Sequence, residues 1–420
     1  MSVVIAPDSP LTPSPAPGRG NRRRRMLYYV LASFLLLSLI RELTGANDIL
    51  SAGTLRAALI SMIPIALAGL GGLWSERAGV VNIGLEGMMI AGTLGAGYFT
   101  YHYGVWAGLM GALVFGVVGG ALHALATVVF AVDHIVSGVA INIIALGVSG
   151  FLAEAFFTGL PGGGPTQSPS LPSPPTITLP GISDWALELQ SEHWFIISDI
   201  ASVVAALTTR LSVVTILALF LVALSGFVLW RTSFGLRLRS CGESPAAAET
   251  LGVNVYLYKV IAVLISGGLA GLAGAYLVLV SSSGFQTGQT GGRGYIGLAA
   301  MIFGNWRPGG LLTGSALFGY TQAVQLRSGG ESLHALLLLA AVGLLALVVV
   351  QYRRGRRRSA AFSLLLAAAM LLWFSTTDVV PAEFTTMAPY VVTLLVLAMA
   401  SQNLRMPAAD GLRYRRGQAG

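Results

Sequence analysis

Long apolar runs alternate with short polar segments along the chain, and most of the runs are close to 20 residues long. A helix of about 20 apolar residues spans the hydrocarbon core of a bilayer. The pattern therefore predicts an all-α polytopic membrane protein with about 10 transmembrane helices. The runs lie at 26–43, 56–74, 79–100, 104–130, 134–157, 211–231, 255–280, 294–304 with 309–326, 333–351, 360–376 and 387–402.

One of these runs is interrupted. The stretch from Gly294 to Gly304 would form only about 16 Å of helix, and a breaker cluster at 305–309 follows it. We expect a broken, re-entrant helical hairpin over 294–326, buried in protein or beside a wet cavity. The alternative is a turn that reaches the cytoplasm, which adds two crossings and leaves the topology consistent.

Basic residues cluster in the segments that flank the apolar runs. Such clusters occur at 22–25, 231–239, 353–358 and 405–416, and positive flanks usually face the cytoplasm. We therefore expect both termini in the cytoplasm. The chain divides into a disordered basic tail (1–25), a transmembrane domain (26–402) and a basic tail (403–420).

Composition supports a membrane protein and narrows its partners. The chain of 420 residues is 55% hydrophobic and 10% charged, against about 25% charged residues in soluble domains. Its net charge of +8 resides in the flanking clusters and does not indicate a nucleic-acid partner. The only cysteine, Cys241, excludes an internal disulfide and a cysteine-rich metal site.

The segment 158–210 is expected to be an enlarged outer loop. It begins with a run rich in Pro, Gly, Ser and Thr, and continues with aromatic and acidic residues around Trp185 and Trp194. This second part is either an interfacial amphipathic helix or a docking surface for an external partner.

Two motifs occur twice in the same order. Ile83-Gly84-Leu85-x-x-Met88 recurs as Ile296-Gly297-Leu298-x-x-Met301, and Gly/Leu-rich echoes follow each copy at 108–116 and 310–319. By the topology above the two copies start from opposite faces, so the sequence predicts a weak inverted repeat. Inverted repeats are typical of transporters, in which substrate passes near the repeat interface.

Polar residues inside apolar runs are candidates for a translocation path, because they are costly in a bilayer. The candidates are Asn82, Glu86, Asn142, Asn305 and Gln322, with Glu154 and Gln325 as further intramembrane polar groups. An Asn or Gln could instead simply bind a neighbouring helix. Glu86 has two interpretations, a salt bridge to Arg77 or a role in the path.

No enzyme motif or cofactor site is evident. The sequence lacks metalloprotease, nucleophile-elbow and phosphate-loop motifs, and we expect packing roles for His123 and His134. An ion-coupled secondary transporter remains an alternative, for which only Glu86 and Glu154 offer a membrane carboxylate. The chain is expected to be a transporter, not an enzyme.

Three segments carry a family resemblance. They read SERAGVVNIGLEGMM at 75–89, FGLRLRSCGESPAAAETLGVNVYLYK at 234–259 and GRGYIGLAAMIFGNWRP at 292–308, with a weaker match at 388–397 and 407–411. The chain resembles permease subunits of bacterial ABC importers in the ribose- and nucleoside-type branch, and the nucleoside-type match is the closer one. A simple sugar is the alternative substrate.

The resemblance implies partners. Two permease subunits would form the path, cytoplasmic ABC ATPase subunits would bind the ATP, and an extracytoplasmic binding protein would deliver the substrate. The segment 233–254 would be the cytoplasmic coupling loop on which the ATPase docks. The expected coupling residues are Arg237, Arg239, Gly242, Glu243, Pro245, Ala246, Ala247 and Gly252.

The resemblance also gives the loop a shape. Pro245 suits the first turn of a helix, the alanines after it make that helix slim, and Gly252 ends it. The chain departs from the family at its basic N-terminal tail, its outer loop and residues 330–380. We expect 330–380 to be an inserted pair of helices.

Overall fold

The structure is a computed structural model, and it describes residues 19–327, 329–381, 383–387, 391, 404–415 and 417, with side chains from residue 31 onward except 33. The expected span at 387–402 therefore lies outside the described residues except at Met387 and Val391. The rest of the N-terminal tail, residues 1–18, lies outside them as well.

The described chain is almost entirely helical, which confirms the expected all-α class. Its helices are α1 (Arg19–Thr44), α2 (Ala52–Arg77), α3 (Leu85–Tyr103), α4 (Val105–Ala124), α5 (His134–Phe157), α6 (Ile182–Ser191), α7 (Ile197–Thr208), α8 (Val213–Arg231), α9 (Ser233–Glu243), α10 (Pro245–Thr250), α11 (Val255–Tyr276), α12 (Arg293–Phe303), α13 (Pro308–Arg327), α14 (Gly329–Arg353) and α15 (Arg357–Thr376). A 3₁₀ turn at Asn47–Leu50 precedes α2, and the π-helical turns Leu125–Val129 and Leu277–Ser281 extend α4 and α11.

Seven of the described helices are long and apolar enough to cross a membrane: α2, α4, α5, α8, α11, α14 and α15, with α4 and α11 counted together with their π turns. Helices α1, α3 and α13 have 26, 19 and 20 residues and are long enough to cross, but they are more polar. The segment between α5 and α8 contains the short antiparallel pair β1 (Thr176–Ile177) and β2 (Leu211–Ser212).

Helices α2 and α11 form the centre of the molecule and are the most buried of the seven spans. Helix α11 packs against α3 and α4, and α2 packs in the same way against α12 and α13. Exchanging α2–α3–α4 with α11–α12–α13 therefore reproduces the packing, as the repeated motifs lead us to expect. The two central helices also contact each other, so the repeats meet at the core.

Glycines make this close packing possible. A Cβ atom placed on Gly116 of α4 would come 2.2 Å from the carbonyl oxygen of Gly267 on α11. On the other side of the core, a Cβ on Gly319 of α13 would come 2.6 Å from the carbonyl oxygen of Ala58 on α2. Small residues are required at both contacts because the helix backbones touch.

The interrupted run forms two helices, α12 and α13, with a tight turn between them. Asn305 and Trp306 in the turn have φ of 54° and 52°, which a continuous helix cannot accommodate. The indole of Trp306 donates to Glu76 at the end of α2 (2.5 Å). The turn thus reaches the end of α2, as in the alternative of a turn at the cytoplasmic face, and the irregular segment 282–292 precedes the short α12.

Three expected segments take the following forms. Helix α1 begins at Arg19 and so includes the arginines at 22–25, which the sequence placed in a tail. The segment 158–210 contains α6 and α7, in keeping with the alternative of a helix in its second part. Residues 330–380 form the expected pair of helices, α14 and α15, and α14 also packs on α1 and α13.

Candidate translocation site and coupling surface

A polar cluster joins the two repeats at the start of α12. The Glu86 carboxylate on the first turn of α3 accepts hydrogen bonds from the backbone amides of Gly292 (2.9 Å) and Gly294 (2.7 Å). Its side chain is buried, since Glu86 is only 6% exposed. A carboxylate here neutralises the positive end of the α12 dipole and uses amides that the helix itself leaves unpaired.

If the end of α2 is taken as one face of the bilayer core, the cluster lies about halfway through that core. Helix α12 has 11 residues and is therefore about 16 Å long, against a core of about 30 Å. It runs from Glu86 to the turn beside Glu76, where α2 ends. Two helix N-termini, those of α3 and α12, thus meet at mid-depth, which is where transporters with inverted repeats bind substrate.

Asn142 on α5 completes the cluster. Its Oδ1 accepts from the amide of Gly87 (2.7 Å), and its Nδ2 donates to the carbonyl of Ile83 (3.1 Å) and the hydroxyl of Tyr295 (2.8 Å). The Tyr295 side chain is fixed by this bond, yet the residue is 46% exposed at the surface of the chain. The cluster therefore presents an oriented aromatic ring at mid-depth.

The other path candidates lie elsewhere. Asn82 is fully buried and donates to Ser266 on α11 (2.9 Å). Asn305 lies in the turn after α12, where its Oδ1 accepts from the amide of Arg405 (2.8 Å). Gln322 lies on α13, and its Oε1 is buried without a hydrogen-bond partner among the described residues. Of the five candidates, only Glu86 and Asn142 line the mid-depth cluster.

The suggested salt bridge between Glu86 and Arg77 is wrong. Arg77 donates instead to the carbonyl of Trp306 (2.7 Å) and lies 3.8 Å from Glu243. Tyr295 is the residue that the sequence did not single out, although it immediately precedes the repeated motif. The available signal was a tyrosine after Gly294 at the start of an interrupted span.

The segment between α8 and α11 consists of the two short helices α9 and α10, which we call the elbow. Helix α9 is capped by Thr232, whose hydroxyl accepts from the amide of Gly235 (3.2 Å). Helix α10 begins at Pro245 and ends at Thr250, and Gly252 then takes a φ of 81°. The expected helix with a Pro start and a Gly stop is present, and α9 is an additional helix before it.

The expected coupling residues divide into a set anchored to the rest of the chain and a set that is exposed or half-buried. Arg239 donates to the carbonyl of Leu229 (2.9 Å) and stacks over Trp230, and Gly242 is buried against the end of α2. Arg237, Glu243, Ala247 and Gly252 are exposed, while Pro245 and Ala246 are half-buried. Beside Ala247, Leu251 is 83% exposed, so the two residues form an exposed apolar pair.

A C-terminal segment, residues 404–415, packs along the inner side of this elbow. The amide of Ala409 donates to the carbonyl of Gly242 (2.8 Å), and the Tyr414 hydroxyl donates to the Glu249 carboxylate. Arg413 reaches Asp133 at 3.9 Å, and hydrogen bonds from the amides of Ile135 and Val136 hold the pKa of the Asp133 carboxyl below its usual value. The predicted basic tail is thus partly a structural strap.

Buried charges lie under the strap. Asp410 is buried beside Glu76, and the positive charges of Lys259 and Arg77 act on it. Burial raises the pKa of Asp410 from an ordinary 3.8 to about 7. Two neighbouring buried carboxyl groups favour retention of a proton, because two like charges in a site without water repel each other. The ends of α2 and α11, the turn at Trp306 and the strap therefore meet in one polar cluster. We call the surface made by this cluster, α9 and α10 the coupling face.

Comparison with known proteins identifies the class. Residues 54–373 match the family described as branched-chain amino acid transport system / permease component. The chain belongs to this family, and it is a membrane permease of a transport system and not an enzyme. Permeases of this kind work with ATPase and substrate-binding partners. The match includes α14 and most of α15.

Three similar proteins are named as permeases for particular substrates. The guanosine ABC transporter permease protein NupQ of Bacillus subtilis is 32% identical over 370 residues, 86% of this chain and 96% of that protein. The nucleoside ABC transporter permease protein NupC of Lactococcus lactis is 33% identical over 368 residues, 85% and 94% of the two chains. TsgC13 of Haloferax volcanii, named provisionally as a glucose ABC transporter permease, is 36% identical over 286 residues, 67% and 80%. No solved structure matches the chain significantly.

Proposed function

We propose that the chain is the path-forming permease subunit of an ABC importer for nucleosides, in a bacterial plasma membrane with both termini in the cytoplasm. The names of NupQ and NupC support this substrate class. The structural observation that supports this function is the mid-depth cluster, in which the Tyr295 ring is held by Asn142 yet exposed. The name of TsgC13 supports a simple sugar as the second candidate.

In this proposal, the exposed face of Tyr295 lines a path that a second permease subunit closes. An aromatic ring offers a flat apolar surface on which a nucleobase stacks, and such stacking contributes about 1–3 kcal/mol per base. The polar groups of Glu86 and Asn142 are already satisfied within the chain, so they hold the ring in place. An extracytoplasmic binding protein delivers the substrate, and this subunit itself needs no cofactor.

Uptake by the reconstituted importer tests the assignment of Tyr295. Tyr295→Phe keeps the ring and loses one hydrogen bond, so guanosine uptake should remain near the wild-type level. Tyr295→Leu removes the stacking surface, and the apparent affinity for guanosine should fall by about tenfold. Equal guanosine affinity in both variants would reject the stacking role, and uptake of glucose but not guanosine would favour the sugar alternative.

We further propose that ATPase subunits dock on the exposed edge of α10 and drive transport by moving the elbow. Support comes from Ala247 and Leu251, a slim apolar pair on a segment that is anchored on its other side. Ala247→Arg should abolish co-purification of the ATPase while the permease still inserts in the membrane. Ser359→Arg, at an exposed position at the start of α15, is the matched control.

The energy source has its own test. Import should stop when ATP is depleted and should persist when a protonophore collapses the ion gradient. The reverse result would reject the ABC importer and favour the ion-coupled alternative. Normal ATPase association and uptake in Ala247→Arg would reject only the docking surface.

A further inference from the structure

A pocket with two arginines lies at the end of α2 opposite the coupling face. Arg56 on α2 and Arg210, between α7 and β2, line it together with Thr215 and Leu279. The Arg56 guanidinium donates to the carbonyl oxygen of Arg210 (3.0 Å). The amide of Arg210 donates to the hydroxyl of Thr178 (3.0 Å). The Arg56 guanidinium is therefore held at the pocket, whereas Arg210 is fixed there by its backbone and has an exposed side chain.

The two positive charges have no acidic partner in the part of the chain that the structure describes. The ion pairs found there do not include Arg56 or Arg210. By contrast, Arg41 on the same side of the molecule is paired with Asp199 at 3.1 Å. Two neighbouring guanidinium groups without a carboxylate repel each other, and an anion with several oxygens would bind both of them.

An apolar trench adjoins the arginine pocket. Helices α2, α7 and α13 line it with Ala58, Met62, Ala206 and Ala316, and its volume is about 270 Å³. Leu59 lines both the trench and the arginine pocket. Tyr320 is the one residue with a polar side chain in the trench lining, and its hydroxyl already donates to the carbonyl of Ile49 (3.1 Å). The pocket and the trench together form one site with a cationic end and an apolar end.

We propose that this site binds an anionic phospholipid, with the phosphate between Arg56 and Arg210 and an acyl chain in the trench. A small anion would use the arginines and leave the trench open. A carboxylate from a soluble protein would do the same. Arginines at the outer ends of spans run against the usual charge bias of membrane proteins, and a guanidinium group binds a phosphate through two parallel hydrogen bonds.

The proposal rests on the proposed orientation for the leaflet that supplies the lipid and for the argument from charge bias, whereas the contacts in the pocket and the trench do not depend on it. Its test needs neither substrate nor ATPase. A failure here would leave the importer assignment intact, and a failed uptake assay would leave the lipid site intact.

Native mass spectrometry of the purified full-length chain with phosphatidylglycerol tests the site. Arg56→Gln with Arg210→Gln should weaken retention of the lipid about tenfold or more, since it removes charge-assisted hydrogen bonds. Arg231→Gln, which removes an exposed arginine from the far end of α8, should leave retention unchanged. Equal retention in the double variant and the control would overturn the proposal.

The apolar trench allows a second, independent test of the lipid proposal. Ala316→Trp fills it from an exposed position, so the fold should tolerate the change, and lipid retention should fall although both arginines remain. Diacylglycerol, which lacks the phosphate, should bind weakly to the wild type. If inorganic phosphate displaces the lipid and Ala316→Trp binds normally, the site takes a small anion and the lipid proposal is wrong.

Discussion

Replacing Glu86 with glutamine would test whether this residue joins the two repeats or carries charge across the membrane. In the structure, each carboxylate oxygen accepts one amide hydrogen bond from the start of α12, at 2.9 Å from Gly292 and at 2.7 Å from Gly294. Glutamine has nearly the same shape. It keeps one acceptor oxygen and presents an NH₂ group to the second amide, so one donor faces another.

The size of the effect follows from these two bonds. A hydrogen bond to a charged group contributes about 1.5–3 kcal/mol, and a buried donor without a partner costs about 1–3 kcal/mol. Loss of the charge also removes a favourable helix-dipole interaction of about 0.3–1 kcal/mol. Because the terms overlap, we expect Glu86→Gln to destabilise the protein by about 2–4 kcal/mol in total.

Thermal unfolding of the purified protein in detergent measures this loss, and Glu154→Gln is the matched control. Glu154 lies exposed near the outer end of α5, so its replacement should have little effect. Uptake by Glu86→Gln should fall together with its stability and should still depend on ATP. Full stability combined with complete loss of transport would refute the bridging role, since that result is expected of a residue that carries a proton or an ion.

Three further substitutions test the coupling face and the outer loop. In Gly242→Ala the new Cβ would lie 2.4 Å from the carbonyl oxygen of Arg77, so uptake should fall while ATPase co-purification, which depends on the exposed edge of α10, is retained. Asp410 has a pKa of about 7 in the docked strap, against an ordinary 3.8. Between these two pH values the docked strap keeps a proton that a released strap loses, so docking should weaken as pH rises from about 4 to about 7. Asp410→Asn should abolish this pH dependence, measured as hydrogen exchange across 404–415. Asp199→Asn removes the buried carboxylate that pairs with Arg41 and leaves that arginine only the exposed Glu42, so it should cost up to about 3–5 kcal/mol in thermal unfolding, whereas Glu42→Gln should cost almost nothing.

The sequence predicts those features that depend on local rules. Span lengths follow from the thickness of the bilayer, and the short helix α10 follows from Pro245 and Gly252, whose backbone preferences do not depend on the rest of the fold. The break after α12 is readable for the same reason. The repeated Ile-Gly-Leu motif also predicts the related packing of α2 and α11, because a repeated sequence folds to a repeated unit.

Contacts between distant segments are the part that the sequence does not reveal. Glu86 was correctly considered polar and costly, yet its partners lie about 200 residues away and are backbone amides with no side-chain signature. Asn305 looked like a path residue because it lies between two apolar stretches, but the turn carries it to the coupling face. The basic C-terminal tail gave no sign of its strap because Asp410 and Tyr414 find their partners only in the folded chain.

The coupling face and the mid-depth cluster are joined by a short and well-fixed segment. The buried Gly242 of α9 rests on Arg77 and Gly79, and residues 79–86 lead directly from there to Glu86. Two histidines hold this segment: His123 binds the carbonyl of Val81 (3.0 Å), and His134 accepts from its amide (3.3 Å). Glu86 then holds one end of α12, and Trp306 after the other end returns to Glu76 on α2. These contacts connect α9, the segment 79–86, α12 and the end of α2 in a closed circuit. A partner that displaces α9 and α10 would therefore move the start of α3 and the whole of α12 together. This geometry explains how a motor on one face could open or close a site at mid-depth without touching it.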